Sequence, residues 1–166
     1  MAPVLLTPAT AADAAAIAAV RNAAADDLTE RFGTGHWTST VSDRGVLTNI
    51  RHARVFTGRR AGRIVATLAM QTKKPWAIDL KYFTPCKRPV YLTNMAVAPE
   101  WQRQGFGRRS LEAAIGIARA WPADAIRLDA YDAPAGAGDF YLKCGFREVG
   151  RRVYRRTPLR YFEWML

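Results

Sequence analysis

Gln102-Arg103-Gln104-Gly105-Phe106-Gly107-Arg108-Arg109 sets two glycines one residue apart among three arginines, and good helix formers follow. Such a segment can hold an anion. The first N–H groups of a helix have no intrahelical acceptor, and the helix dipole makes that end positive. Gly105 and Gly107 let the backbone approach a phosphate with no Cβ in the way. Arg103, Arg108 and Arg109 oppose the dipole at a helix start, a conflict that a bound anion removes. A tight turn with solvated arginines would carry the same residues, and a lone G-x-G does not decide between the two. Two nucleotide motifs fail on detail. No G-K-[ST] follows, as a P-loop needs, and Ser110 stands where a dinucleotide fingerprint has its third glycine.

The elements that would position this segment follow from patterning. "VYLTNMAV" (90–97) is apolar on both faces, which predicts a central strand. Leu111, Ala114, Ile115 and Ala118 give a helix from Gly107 to Trp121 one apolar face. Upstream, "VLLT" (4–7) predicts a strand, and Thr10 with Asp13 a capping box before a helix through Ile17, Arg21 and Leu28. Residues 31–40 form a glycine-bearing loop, a second helix covers 41–49, and 54–70 is a hairpin. Residues 72–89 form a long connection with three prolines, Trp76, Tyr82, Phe83 and five basic side chains. Connections of this length are functional or mobile. "AIRLDAY" (125–131) predicts another strand, "GAGDFYLKCGF" (136–146) a short helix ending at Gly145, and the remainder two strands. The expected fold is one α/β domain of the α+β type over 1–166, in the order β-α-α-β-β-β-α-β-α-β-β.

Composition bounds the function. A chain of 166 residues, 49% of them hydrophobic, is long enough for a core of its own. No apolar run approaches the ~18 residues of a membrane span. The first residues lack a basic n-region and carry Asp13, so they read as strand and helix, not signal peptide. Cys86 and Cys144 make neither a disulfide framework nor a metal pattern, which suits free thiols in the cytoplasm. Lys+Arg 25 against Asp+Glu 14 gives a net charge of +11. That charge suits a polyanion, either nucleic acid or a phosphorylated cofactor. No nucleic-acid motif is present and the charge is not gathered in one tail, so a general arginine bias explains it better than a nucleic-acid partner does.

Gln102-Arg103-Gln104-Gly105-Phe106-Gly107 resembles the Q/R-x-x-G-x-G/A signature of the GNAT superfamily of N-acetyltransferases. "NMAVAPE" before it is similar to that family's bulged strand, and "FYLKCGF" (140–146) resembles its "LYxKxGF" segment. The element order agrees as well, so the resemblance covers essentially the whole chain. It implies a mixed, twisted central sheet with splayed central strands flanked by helices, and an acetyl-CoA-dependent enzyme without a metal, working as a monomer or homodimer.

The resemblance also implies roles. The cofactor pyrophosphate would sit on the N–H groups of Arg103, Gln104, Gly105, Phe106, Gly107 and Arg108. Its pantetheine arm would pair with Met95, Ala96 and Val97, as a further strand would. Tyr141 matches the family's general acid, though a tyrosine packed in the core would look the same. Asp129, twelve residues earlier, stands where relatives often carry a glutamate base. A carboxylate inside a central strand is costly unless it is paired or functional. A structural Asp129, a role for Asp132, or a water relay remain open. An asparagine that often contacts the cofactor is replaced by Pro134. Cys144 suits helix-end packing better than a ping-pong thiol. The acceptor amine would meet His36 and Trp37 on one loop, and Trp76, Asp79, Tyr82 and Phe83 on the long connection. Asp79 is the candidate to hold an ammonium group and His36 a base or orienting group. The competing class is a catalytically silent acyl-CoA-binding regulatory module.

Overall fold

In the computed structural model, which describes residues 3–166, the elements follow the expected order. They are β1 (Leu6–Pro8), α1 (Ala14–Phe32), α2 (Asp43–His52), β2 (Arg54–Arg60), β3 (Arg63–Gln71), β4 (Pro89–Val97), α3 (Phe106–Ala120), β5 (Ala125–Tyr131), α4 (Gly138–Lys143), β6 (Arg147–Tyr154) and β7 (Thr157–Met165). The strands form a seven-stranded mixed sheet in the order β1-β2-β3-β4-β5-β7-β6. Among the described residues no helix is long and apolar enough to cross a membrane. The chain divides into two compact units, residues 1–71 with 93–114 and residues 72–92 with 115–166.

In the first unit, α1 follows a 3-10 turn in which Asp13 Oδ2 accepts the Thr10 N–H at 2.9 Å. Glycine closes the helix. Gly33, at φ 81°, donates its N–H to the Thr29 carbonyl at 2.8 Å. Helix α2 starts two residues later than 41 because Ser42 is its cap, accepting the Gly45 N–H at 3.1 Å. The apolar face of α1 (Ala14, Ile17, Ala18) packs with Val46 of α2, Val55 of β2 and Ala69 of β3. Antiparallel β2 and β3 join through Ala61 and Gly62, both with positive φ, as a two-residue hairpin turn needs. Strand β1 runs over 6–8, not 4–7, because its register on β2 begins at Leu6 opposite Gly58. Leu5 is left exposed.

In the second unit, β4 pairs in parallel with β5 over Pro89–Tyr91 and Ala125–Arg127. That register takes three residues of strands nine and seven residues long. Strand β7 runs antiparallel to both β5 and β6. Ile78, Phe83, Tyr91, Leu159 and Tyr161 form its buried cluster. The long connection is therefore anchored by packing. Phe83 and Tyr82 lie against the Tyr161 ring at 5.3 and 5.4 Å between centroids. The Tyr161 hydroxyl donates to the Ala77 carbonyl.

Candidate active site

The turn before α3 combines three local devices. Gln102 Nε2 donates to the Val97 carbonyl at 2.9 Å, tying the end of β4 to the turn. Arg103 and Gly105 are both left-handed, at φ 58° and 81°, with Gln104 between them. Alternating left- and right-handed residues turn successive N–H groups toward one side, the arrangement of an anion-binding nest. The N-terminus of α3 follows at once. A Cβ on Gly105 would lie 3.0 Å from Arg109 Nη1, so the glycine answers both its φ and its neighbour. Phe106 is buried under Trp101 and the Arg109 guanidinium, so its side chain belongs to the core and only its backbone faces the turn. Arg109 also donates to the Gln104 carbonyl at 3.2 Å, which fixes the turn from within. Arg103, Gln104, Gly105 and Arg108 are exposed.

Just upstream, β4 breaks its pleat at Asn94, φ 53°. A left-handed residue inside a strand is the mark of a bulge, and asparagine tolerates that conformation better than most residues. Met95, Ala96 and Val97 follow, all half-buried, and Ala98, just past the strand, donates to the Val65 carbonyl at 2.8 Å. Asn94 thus gives "NMAV", the segment whose resemblance implied a bulge, its one left-handed residue.

In the second unit, Tyr141 of α4 is buried among Phe140, Phe146 and Phe162, with ring centroids at 5.3, 5.7 and 5.8 Å. Its carbonyl accepts the Phe146 N–H at 3.0 Å, and Gly145 (φ 95°) closes the helix. That closure makes α4 shorter than 136–146. Burial chiefly, and the charges of Asp129 and Cys144 after it, push the Tyr141 phenol well above its ordinary pKa. The phenol is therefore a neutral proton carrier at any working pH. Asp129 lies on β5 opposite Tyr161, half-buried. Burial raises its pKa, against a smaller opposing effect of its own backbone N–H.

The pairing of the other carboxylates sets Asp129 apart. In this unit Asp79, Asp124, Asp132, Asp139, Glu148 and Glu163 each form an ion pair with lysine or arginine. Asp129 forms none, among the described residues, in a chain with 25 Lys and Arg. Asp132, the alternative base, lies 3.5 Å from Arg151.

The acceptor candidates are less uniform. Trp37 Nε1 donates to the Gly33 carbonyl at 2.9 Å, and its ring covers Gly35, where a Cβ would lie 2.5 Å away. His36 beside it is exposed. Trp76 is 82% exposed, a large apolar surface on the long connection. Asp79 is already held by Arg152 at 2.9 Å and Lys81 at 3.5 Å. Burial acts to raise its pKa, and the Lys81 N–H with the two cations more than reverses that. Tyr82 and Phe83, expected to line an acceptor site, are packing residues instead. Phe83 is in the core, and Tyr82 lies over Gly150, where a Cβ would come within 2.3 Å of its ring.

Sequence reasoning missed a buried polar network that fixes this connection. Glu163 of β7 accepts from the Thr84 N–H at 3.0 Å, the Thr84 hydroxyl at 2.6 Å, and Arg147. Buried Arg127 donates to the Thr84 carbonyl at 2.7 Å and stacks on Phe83. A glutamate at an alternating position of the last strand was the available signal. Among the described residues no cluster of metal-ligating side chains occurs.

Comparison with known proteins agrees with this geometry. Residues 17–146 match the acetyltransferase (GNAT) family. Among solved structures, a GCN5-related N-acetyltransferase from Rhodopseudomonas palustris shares 18% identity at a TM-score of 0.74, covering 100% of this chain and 98% of the other. The ribosomal-protein-S18-alanine N-acetyltransferase of Escherichia coli shares 20% at 0.70, covering 97% and 92%. An acetyltransferase of Salmonella typhimurium, solved with its cofactor acetyl-CoA, shares 18% at 0.70, covering 99% and 95%. At these identities the structures bear on fold alone. No curated protein matches.

Proposed function

The chain belongs to the acetyltransferase (GNAT) family, and from that membership we propose an acetyl-CoA-dependent N-acetyltransferase that acetylates a primary amine by direct attack in a ternary complex. Residues 1–166 are read as one functional domain, since the matched span takes in parts of both units. The observation that carries the reading is the left-handed pair Arg103 and Gly105 at the start of α3, directly after a strand broken at Asn94. It supports a pyrophosphate site on the N–H groups of residues 103–108, with Arg103 and Arg108 adding charge. Met95, Ala96 and Val97 are the strand segment that would take the amide-bearing pantetheine arm. An N–H of the same segment polarises the thioester carbonyl.

Proton movement follows from the second unit. An amine with a pKa near ~10.4 arrives protonated and must lose a proton before it attacks. Asp129, with no cation to hold its charge, is the acceptor for that proton. The amine nitrogen then bonds to the acyl carbon, the carbon–sulfur bond breaks, the Tyr141 hydroxyl protonates the departing thiolate, and the proton that the nitrogen sheds on becoming an amide restores the phenol. The two groups help each other. While Asp129 is ionised its charge raises the Tyr141 pKa. Once Asp129 is protonated that contribution vanishes, and the phenol is a stronger acid as the thiolate leaves.

The test is thiol release from acetyl-CoA across a panel of amines, with mass detection of acetylated product and calorimetry of acetyl-CoA binding. Two structural neighbours are named for acetylation of ribosomal-protein alanine, so the panel includes peptides that begin with alanine. Turnover of an amine supports the reading. Tight binding with no turnover across the panel supports a silent binding module instead, and no binding overturns both.

A further inference from the structure

Arg21 projects from α1, half-buried, and its Nη2 donates to Asn94 Oδ1 at 3.1 Å. Asn94 is the left-handed residue of β4, and its Nδ2 donates in turn to Asn49 Oδ1 of α2 at 3.4 Å. All three residues belong to the first unit. A guanidinium carries five N–H donors. Among the described residues, one of Arg21's is used within the protein and no carboxylate pairs with it.

Of the other covered arginines, two meet carboxylates, while Arg109 and Arg127 rest instead on a carbonyl oxygen and an aromatic ring. Arg152 faces Asp79, and Arg160 lies between Asp139 and Glu148. Burial lowers the Arg21 pKa with no anion acting against it. Partly desolvating a cation without a counter-charge costs stability, and the fold retains it on a mount that fixes its direction. A planar guanidinium with free donors suits a two-oxygen anion.

The position selects the source of that anion. On the acetyltransfer reading, Asn94 adjoins the segment that takes the uncharged pantetheine arm, while the cofactor's pyrophosphate belongs to residues 103–108. The charge opposite Arg21 must then come with the other substrate. Resting on that reading, we propose that Arg21, held by Asn94 and Asn49, binds an oxyacid group of the acceptor, so that the acceptors are amines carrying a carboxylate or phosphate near the nitrogen.

The experiment compares kcat/KM within matched pairs: L-phenylalanine against its amide, and O-phosphoethanolamine against ethanolamine. The wild-type protein should favour the anionic member of at least one pair by roughly 10- to 100-fold, the range of a charged hydrogen-bonded contact. The pair that shows it separates carboxylate from phosphate. Arg21→Gln retains a donor for Asn94 but no charge, and should bring the ratio toward one, while Arg21→Lys should restore part of it. A wild-type ratio near one in both pairs, or a ratio unchanged by Arg21→Gln, overturns the proposal. If acetyl-CoA binds but no amine is turned over, the transfer reading fails separately. Calorimetry of benzoate and of inorganic phosphate into the CoA-bound protein then decides. Binding lost in Arg21→Gln supports the anion site, and no binding to wild type, or binding unchanged by the substitution, overturns it.

Discussion

Asp129→Asn should slow acetyl transfer and stabilise the fold, both at neutral pH. The amide has nearly the shape of the carboxylate and none of its charge. Burial raises the Asp129 pKa, and no cation among the described residues offsets that cost. Below the unfolded-state value of ~3.9 the carboxyl is neutral whether the chain is folded or not, and asparagine gains nothing. As pH rises from there to the raised folded value, the folded state keeps a proton that the unfolded state releases. Stability therefore falls through that window, and the full penalty stands above it. Each pKa unit is worth about 1.4 kcal/mol. Each kcal/mol moves Tm by about 2–4 °C in a chain of this size. The Tm advantage of the variant should accordingly grow from near zero at acid pH to a plateau above the raised folded value, read by calorimetric melts across pH. The rate should fall by roughly 10²- to 10⁴-fold, the usual range for a lost proton acceptor. That deficit should shrink as pH nears the amine pKa, where the acceptor is already deprotonated. A structural aspartate behaves in the opposite way. A lower Tm at pH 7, with a rate deficit flat in pH, would refute the assignment.

Tyr141→Phe preserves the contacts with Phe140, Phe146 and Phe162 and should lower turnover by roughly 10²- to 10⁴-fold while leaving the acetyl-CoA Kd within a few-fold. The double variant with Asp129→Asn should lose little beyond the worse single variant, because groups that act as a unit are not additive; fully multiplicative losses would argue against a coupled proton transfer. Gly105→Glu places a negative side chain on a residue at φ 81° and should abolish acetyl-CoA binding by calorimetry, whereas Gly105→Asn, which tolerates that backbone, should keep measurable affinity. Unchanged affinity in Gly105→Glu would put the cofactor elsewhere. Glu163→Gln should cost about 1–3 kcal/mol at pH 7, the scale of lost charged hydrogen bonds, because the cation it releases, Arg147, is itself exposed. Burial acts to raise the Glu163 pKa, but Thr84 and Arg147 together hold it below its ordinary value. The cost of the variant should therefore persist above the unfolded value of ~4.3 and fade as pH drops through the lower folded one; a cost that does not fade with acid would show that packing, not charge, is responsible.

Local patterns made most of the fold legible. The order of elements, β5 over 125–131 and the hairpin of β2 and β3 all follow from period and turn residues, which act within a few positions. Ends were displaced where a tertiary partner or a cap decides. β1 starts where Gly58 lies opposite, and α2 starts where Ser42 caps. The turn at Gly105 was legible because glycine reports backbone conformation directly. The long connection was misjudged for the converse reason. Tyr82, Phe83 and Asp79 have the composition of a binding loop, yet Gly150, Tyr161, Arg152 and Glu163 that engage this segment lie some 70 to 80 residues further on. Pairing across such a separation leaves no periodic trace in one sequence.

The net charge of +11 bears on the site in a way that composition alone conceals. Six carboxylates of the second unit have found a cation, and the other carboxylates without one among the described residues, Asp26, Glu30, Asp43, Glu100 and Glu112 of the first unit, are all exposed. Leaving Asp129 half-buried and unpaired is therefore a departure from what this surface would otherwise produce. An arginine has the opposite difficulty, since carboxylates are scarce, so an exposed unpaired arginine carries no information here. A half-buried one with neither a carboxylate nor an aromatic face does. Arg21 has lost part of its hydration, has gained no anion, and is held on Asn94 at the one left-handed residue of β4. Each group lowers stability in the resting protein. Each would be relieved in the working one, Asp129 by the proton of an ammonium and Arg21 by an oxyacid. The Arg21→Gln and Asp129→Asn variants separate the two contributions. The first should act on the ratio between anionic and neutral acceptors at every pH, and the second on the pH dependence of either acceptor.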